Sequence, residues 1–294
     1  MAAIEVDIAI ACNYVQHYEW WSNVLTNILA EVQHGDIAIG KIAANAKAMP
    51  DVGKNGNIGA PLKRYSLTDM NRSQIVGVNS KGEKMPEGLM QGNAEWVMWL
   101  DDDTVPPKGA IRRLLDLRRE VAAGLYFLTS PGNAPCAYVR RESGFYSNIY
   151  NYTPGVLTRV DAVGMGCTLI HKNVYQKIMD THELFQRPDA SLLVIPKKNL
   201  IVDPYYTENA KNTVVVNDNT LVMPLTKPED DDNRAWPFYA MEYGRTEDFH
   251  FAELCRNAGV EIYIDTTITC DHWKTHSVNY ETYLESLHER FANT

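Results

Sequence analysis

Residues 95–107 read EWVMWLDDDTVPP, an apolar run that closes on three consecutive carboxylates and then a pair of prolines. Trp96 to Leu100 have the length of one strand and no polar face, as a strand buried in a sheet does. Asp101, Asp102 and Asp103 cannot follow that strand into an interior without partners. They must stand where it leaves the sheet, and helices must cover the sheet's faces.

The residues before this stretch supply such a fold. Val6, Ile8 and Ile10 alternate as a strand, and Trp21, Val24, Leu25, Ile28, Leu29 and Val32 recur at helical spacing. Gly35 closes that helix, DIAIG at 36–40 reads as a second strand, and a Gly/Pro/Asn-rich loop occupies 48–64. A further helix from Asp69 to about Val78 completes β-α-β-α-β ahead of the Trp96 strand. The class expected is α/β, a mainly parallel central sheet flanked by helices, with ligands at the carboxyl ends of its strands.

Beyond the aspartates, Pro106 and Pro107 suit the first turn of a helix whose apolar stripe is Ile111, Leu114 and Leu115. EVAAGLYFLT at 120–129 reads as another buried strand, and 160–179 as strand, glycine turn, strand and short helix. Residues 180–240 are less regular, and the acidic stretch 226–235 is expected to be a mobile loop. Phe251, Leu254, Cys255 and Ala258 then mark a helix face that Gly259 ends, before Val260, Ile262 and Ile264 alternate as a strand. With no internal repeat and no sharp linker in 294 residues, one domain is expected.

Charge and cysteines narrow the partners. A net charge of −9 argues against nucleic acid and anionic membranes as partners, since both require a basic footprint. Five scattered cysteines with no CxxC pair fit a reducing compartment. The first residues lack the basic and apolar parts of a signal peptide, and no apolar run reaches the roughly 18 residues of a membrane span. A soluble, cytoplasmic protein is expected; nothing in the sequence sets its oligomeric state.

Two readings of the aspartates compete. In one, Asp103 or Thr104 caps the following helix and the other carboxylates are merely solvated. In the other, crowding raises the carboxylate pKa values until a hard divalent cation neutralises them. An Asp-x-Asp after a buried strand serves either glycosyl transfer from a sugar nucleotide or phosphoryl transfer of the haloacid-dehalogenase type. In the phosphatase reading Asp101 is the nucleophile, Asp103 the acid/base, and Lys172 with Glu247-Asp248 fills the later motifs. The hundred or so preceding residues, enough for a nucleotide-binding half, favour glycosyl transfer. A non-catalytic sugar- or nucleotide-binding module with a structural cation is the third reading. A nucleotidyltransferase fits poorly, because no glycine-rich basic loop follows the first strand.

The blocks DIAIACNY, LTDMNRSQIV, EWVMWLDDDTVPPKGAIRRLL, VDAVGMGCTLIHKNV and YGRTEDFHFAELCRNAGVEIYIDTTITCDHW span most of residues 6–273. In that order they resemble a family 2-type glycosyltransferase of the GT-A fold. The resemblance implies a single domain over 1–294. Residues 1–103 would form the nucleotide-sugar half, and 104–294 the acceptor half with a C-terminal helix.

It implies Mn²⁺ or Mg²⁺ as cofactor, a UDP- or GDP-sugar as donor, and an acceptor that it does not name. Asp103 would bind the metal directly, and Asp101 would contact ribose or a metal-bound water. Asp102 holds the variable position beside the nucleotide, and His272 completes the metal site unless it is simply hydrogen-bonded. Asp248 would be the base and Glu247 its neighbour, although acidic residues also suit a helix start for its dipole alone. Gly164, Met165 and Gly166 would pass beneath the donor sugar, or else form an ordinary hairpin. Ala11, Cys12 and Asn13 would cradle the nucleotide base. Asn71 and Arg72 would face the nucleotide, with Arg72 meeting the diphosphate bidentately. Trp236 and Phe238 would screen the base and offer the acceptor an apolar platform, or else lie in the core. Residues 181–235 have no counterpart in that pattern.

Overall fold

In the computed structural model the described residues are 3–11, 18–45, 67–128, 132–187, 189–201, 213–216, 221–228, 234–241, 245–273, 277–278, 280 and 283–284. The expected strands and helices of the first third are present. β1 is Ile4–Ala11, α1 Tyr18–Gln33, β2 Ile37–Asn45, α2 Leu67–Val76 and β3 Trp96–Asp101. After β3 come β4 (Thr104–Val105), α3 (Ala110–Asp116) and β5 (Val121–Leu125). β6 (Ala137–Arg140), β7 (Tyr146–Asn148), β8 (Leu157–Val160) and β9 (Ala162–Val163) lead to β10 (Cys167–His171) and α4 (Asn173–Thr181).

Residues 182–224 hold β11 (His182–Gln186), β12 (Leu192–Pro196), β13 (Leu200–Ile201), β14 (Thr213–Val216) and β15 (Leu221–Pro224). The chain continues with α5 (Glu247–Asn257), β16 (Ile262–Thr269), β17 (Asp271–Trp273) and β18 (Ser277–Val278).

Seven strands form the central sheet in the order β2-β1-β3-β10-β5-β16-β8. β1 runs parallel to β2 and β3, and β5 parallel to β16. β10 is antiparallel to both β3 and β5, and β8 antiparallel to β16. Five strands therefore share one direction and two oppose it, so the sheet is mostly parallel, as expected, with β10 and β8 running against the rest. For β10 the physical reason is its route into the sheet. A short glycine turn after β9 feeds that strand, with none of the helical crossover that would keep it parallel.

Burial follows the pleat. Val6, Ile8 and Ile10 face one side with Met98, Leu100 and Leu169, where α1 and α3 supply Trp20, Val24, Ile111 and Leu114. Ala9, Val97, Trp99 and Ile264 face the other, against Ile75 of α2, Val174 and Ile178 of α4, and Phe251 and Leu254 of α5. α1 buries a narrower stripe than its sequence suggests. Trp20, Val24 and Ile28, four apart, meet the sheet, while Leu25 and Leu29 are 42% and 59% exposed. One row of side chains at that spacing suffices for a helix lying on a sheet.

The start of α3 revises the cap reading of the aspartates. The helix begins at Ala110, behind Gly109 in the left-handed conformation (φ 79°), and neither Asp103 nor Thr104 reaches it. The carboxylate of Glu31, from α1, accepts the Ile111 and Arg112 amides at 3.0 and 3.4 Å instead. Residues 180–240 are more regular than expected, with a β11–β12 hairpin and a β13–β14–β15 sheet. Both ends of the expected 226–235 loop are pinned, Thr226 by backbone bonds to Gln186 and Ala235 by a bridge to Asn79. Residues 229–233 lie outside the described residues, as does most of the expected C-terminal helix.

Asp7 and Lys172 form a buried ion pair at 2.7 Å, the lysine also donating to the Leu89 carbonyl at 2.6 Å. Asp7 sits opposite Val97, and Lys172 follows His171, which sits opposite Trp96. The pair therefore lies at the amino-terminal edge of β3, four to five residues or roughly 13–16 Å from Asp101 at about 3.3 Å per residue. The phosphatase reading thereby loses its lysine. Lys172→Met would strand the Asp7 charge inside the protein. It is expected to lower unfolding stability by about 3–5 kcal/mol in a denaturant titration.

Candidate active site

Strand order alone marks a place for a ligand before any side chain is considered. β1 has β2 on one flank and β3 on the other, so successive connections leave it in opposite directions. Ligands of open α/β sheets bind at such a switch, outside the carboxyl ends of the strands. Ala11 and Asp101 are paired at that end. A cavity of about 340 Å³ opens there, lined by Asp101, Asp103, Tyr126, Leu128, Cys136, Tyr138, Gly164, Thr246, Asp248, Phe249 and His272. That volume is within the range of small-molecule sites.

One wall is built by β4 and β17. Their antiparallel pairing sets His272 opposite Thr104, and the Trp273 amide donates to the Asp103 carbonyl at 2.6 Å. His272 is buried, and its Nδ1 lies 2.7 Å from the Phe127 carbonyl, which can only accept, so Nδ1 carries the hydrogen. In a neutral ring Nε2 then turns a lone pair toward Asp103 Oδ2, 3.3 Å away. Two acceptors that close need a hydrogen between them, on the imidazole or the carboxyl, or a metal ion.

The pair fits a divalent metal as part of its shell. Two ligands each about 2.1 Å from one ion can stand no more than about 4 Å apart. The carbonyl behind the imidazole is the outer partner that metal-bound histidines ordinarily have. Asp101 does not join them. Arg72 holds its Oδ1, and among the described residues no three His, Cys, Asp or Glu groups are arranged to hold a metal. The expected trio of Asp101, Asp103 and His272 thus reduces to a pair, leaving the remaining positions of any ion to ligand or solvent oxygens.

The opposite wall is the first turn of α5. Asp248 lines the cavity with its side chain 21% exposed, and Arg72 Nη1 donates to its Oδ1 at 2.6 Å. Burial, opposed by Arg72 and reinforced by the charges of Glu247 and Asp101, pushes Asp248 up to about 7. Asp101 is also raised, again chiefly by burial. One guanidinium is shared between these two carboxylates, with Glu247 and Asp103 also close, so compensation is incomplete. Among the described lining residues there is no lysine or arginine, and the cavity wall is anionic.

The glycine turn answers to packing within the protein. A Cβ on Gly164 would collide with the Tyr126 hydroxyl, and one on Gly166 would lie 2.6 Å from Thr104 Oγ1. The Gly166 amide donates to the Tyr126 hydroxyl at 3.3 Å. These glycines make room for Tyr126, which stands edge-on to His272 with ring centroids 5.4 Å apart. Gly164 also lines the cavity, whereas Met165 is buried in the core.

Other expected site residues are placed differently. Arg72, expected to meet a diphosphate, is 2% exposed and engaged by Asp101 and Asp248. Asp102 is buried away from the cavity lining, and Glu247 is half-buried beside it without lining it. Trp236 and Phe238 are core residues, 4.3 Å apart by ring centroid, with Phe238 packed edge-on to Tyr175. The bridge from Ala235 to Asn79 turns this segment inward, so neither ring offers a platform. Ala11 sits at the sheet edge; Cys12, Asn13 and the Asn71 side chain lie outside the described residues.

The aromatic faces of the cavity belong to Tyr126, Tyr138 and Phe249, which the sequence reading missed. Tyr126 directly follows the buried strand β5, the same logic that singled out Asp101. Phe249 adjoins Asp248.

No protein-family model matches the chain, and no curated protein does. Among solved structures, "A197 from STIV" is similar at 10% identity and TM-score 0.40, over 92% of this chain and 85% of that one. "GalNAc-T7 with UDP, GalNAc and Mn2+" is similar at 10% identity and TM-score 0.38, over 97% of this chain and 48% of that one. At scores of that size, what the site does rests on its own geometry.

Proposed function

We propose that the protein is a metal-dependent glycosyltransferase, moving a sugar from a nucleoside-diphosphate sugar to an acceptor hydroxyl. The observation that carries this reading is the facing of Asp103–His272 and Asp248 across one cavity at the switch point of the sheet. An anionic wall with no basic residue among the described lining repels a diphosphate unless a cation intervenes. Mn²⁺ or Mg²⁺ held by Asp103 and His272 would supply that charge and assist departure of the diphosphate.

The protein's own residues account for the remainder. Asp101, fixed by Arg72 beside Ala11, stands where the nucleotide half of a UDP- or GDP-sugar meets the sheet edge. Tyr126 and Gly164 floor the cavity between the two walls. Asp248 faces it from the first turn of α5 and is placed to remove the proton from an acceptor hydroxyl, a general base raised toward neutrality by its surroundings. Tyr138 and Phe249 flank it with apolar surface.

The test is a panel of UDP-, GDP- and TDP-sugars with Mn²⁺, scored for slow donor hydrolysis. Turnover of at least one donor, dependent on a divalent ion, is expected. Its absence, together with a thermal shift by UDP or GDP that ignores metal, would end the proposal.

The same experiment yields a pH profile. The base must be ionised to act, so turnover is expected to rise with an apparent pKa near 7 and to level above it. Stability has the opposite sign for this group. The folded state holds the Asp248 proton more tightly than the unfolded chain, so its contribution declines as pH climbs from about 4 through about 7.

A further inference from the structure

Arg72 has a place in the molecule that neither nucleotide contact nor simple packing explains. It lies in α2, 2% exposed, with its guanidinium carbon 5.9 Å from the centre of the Tyr239 ring. That ring is itself fixed. The Tyr239 hydroxyl lies 3.0 Å from the Tyr175 hydroxyl, which accepts the Trp99 indole N–H at 2.8 Å. The Tyr239 amide donates to Ser73 Oγ, next to Arg72, at 3.1 Å. From this seat Nη2 reaches Asp101 at the end of β3, and Nη1 reaches Asp248 in the first turn of α5.

Three elements far apart in the chain thus meet on one planar cation. The planar fork of arginine can serve two carboxylates at once, whereas a lysine ammonium is a single point of charge.

We propose that Arg72 is a positioning residue, a two-armed clamp that sets Asp101 and Asp248 relative to each other and so fixes the base against the nucleotide edge. Its side chain is buried, each terminal nitrogen is engaged by a carboxylate, and it is absent from the cavity lining. The catalytic consequence rests on the glycosyl-transfer reading; the clamp itself does not.

The decisive variant is Arg72→Lys, which keeps the charge and loses the second arm. It is expected to fold and to bind UDP with Mn²⁺ within about threefold of the unchanged protein in calorimetry. Donor turnover should fall about 10- to 100-fold, the scale of a misplaced catalytic group. Loss of nucleotide affinity in step with turnover would overturn the proposal in favour of a ligand contact. Unchanged turnover would overturn it in favour of packing alone.

A second measurement needs no nucleotide. Unfolding of Arg72→Met, Asp248→Asn and the double variant forms a cycle that reads the clamp directly. Arg72→Met should raise the unfolding constant at least about 100-fold by leaving two crowded carboxylates uncompensated. Asp248→Asn on top of it should recover about tenfold or more. Additive effects would overturn the clamp. If the unchanged protein binds no nucleotide with any divalent ion, the functional reading fails, and this cycle still decides the role of Arg72.

Discussion

Asp248→Asn is expected to lower turnover by about 10³-fold while leaving the affinity for UDP with Mn²⁺ within about twofold. The substitution is nearly isosteric, and the amide oxygen can still accept from Arg72 Nη1, so the clamp and the cavity wall stay in place. What is lost is the capacity to take a proton. The effect therefore belongs in the chemical step, and the pH limb near 7 should vanish with it. Steady-state turnover across pH 5–9, paired with calorimetric nucleotide binding, separates the two quantities. A parallel collapse of binding and turnover would mean that Asp248 serves the donor, and another acceptor-side group would have to be the base.

Asp103→Ala should have an effect of similar size with the opposite signature. Removing one of the two proposed metal ligands would leave His272 alone, and an imidazole without a carboxylate holds Mn²⁺ or Mg²⁺ poorly. The metal-dependent thermal shift with UDP or GDP should disappear, and turnover should fall at least about 10²–10³-fold, the several kcal/mol that a Lewis acid contributes. Nucleotide affinity without metal is expected to be weak, given the anionic wall, and should change little. A metal-dependent shift that survives this substitution would remove Asp103 from the metal site and with it the main support for the proposed chemistry.

Local pattern made much of this readable from the chain. Trp96–Asp101 announces a buried strand with an acidic end, and the apolar positions of α3 and α5 match their buried faces. Long-range choices were not readable. Nothing in VDAVGMGCTLIH says that its second strand enters the sheet antiparallel between β3 and β5, because a strand's alternation is the same in either direction. Arg72 and Trp236 show a second limit. An arginine on a polar helix reads as a ligand contact, and an isolated tryptophan as a platform, until partners from distant segments are known. Arg72 is claimed by residues 101 and 248, and the turn that draws Trp236 inward is set by a bridge to Asn79. Tyr126 was legible in principle, since it leaves a buried strand at the sheet edge just as Asp101 does.

The position of β10 bears on how the protein comes into being during synthesis. β3 and β5 are separated by a short stretch of chain, yet they share no hydrogen bonds; β10 lies between them. A nascent chain emerging as far as residue 125 carries both strands and all three aspartates but lacks the piece that joins them. Until residues 167–171 are made and seated, the trio stands at the rim of an incomplete sheet, and Asp248 and His272 can face it only once still later segments are made. The cavity is therefore a late product of assembly, and its appearance reports that the two flanks of the sheet have closed on one another.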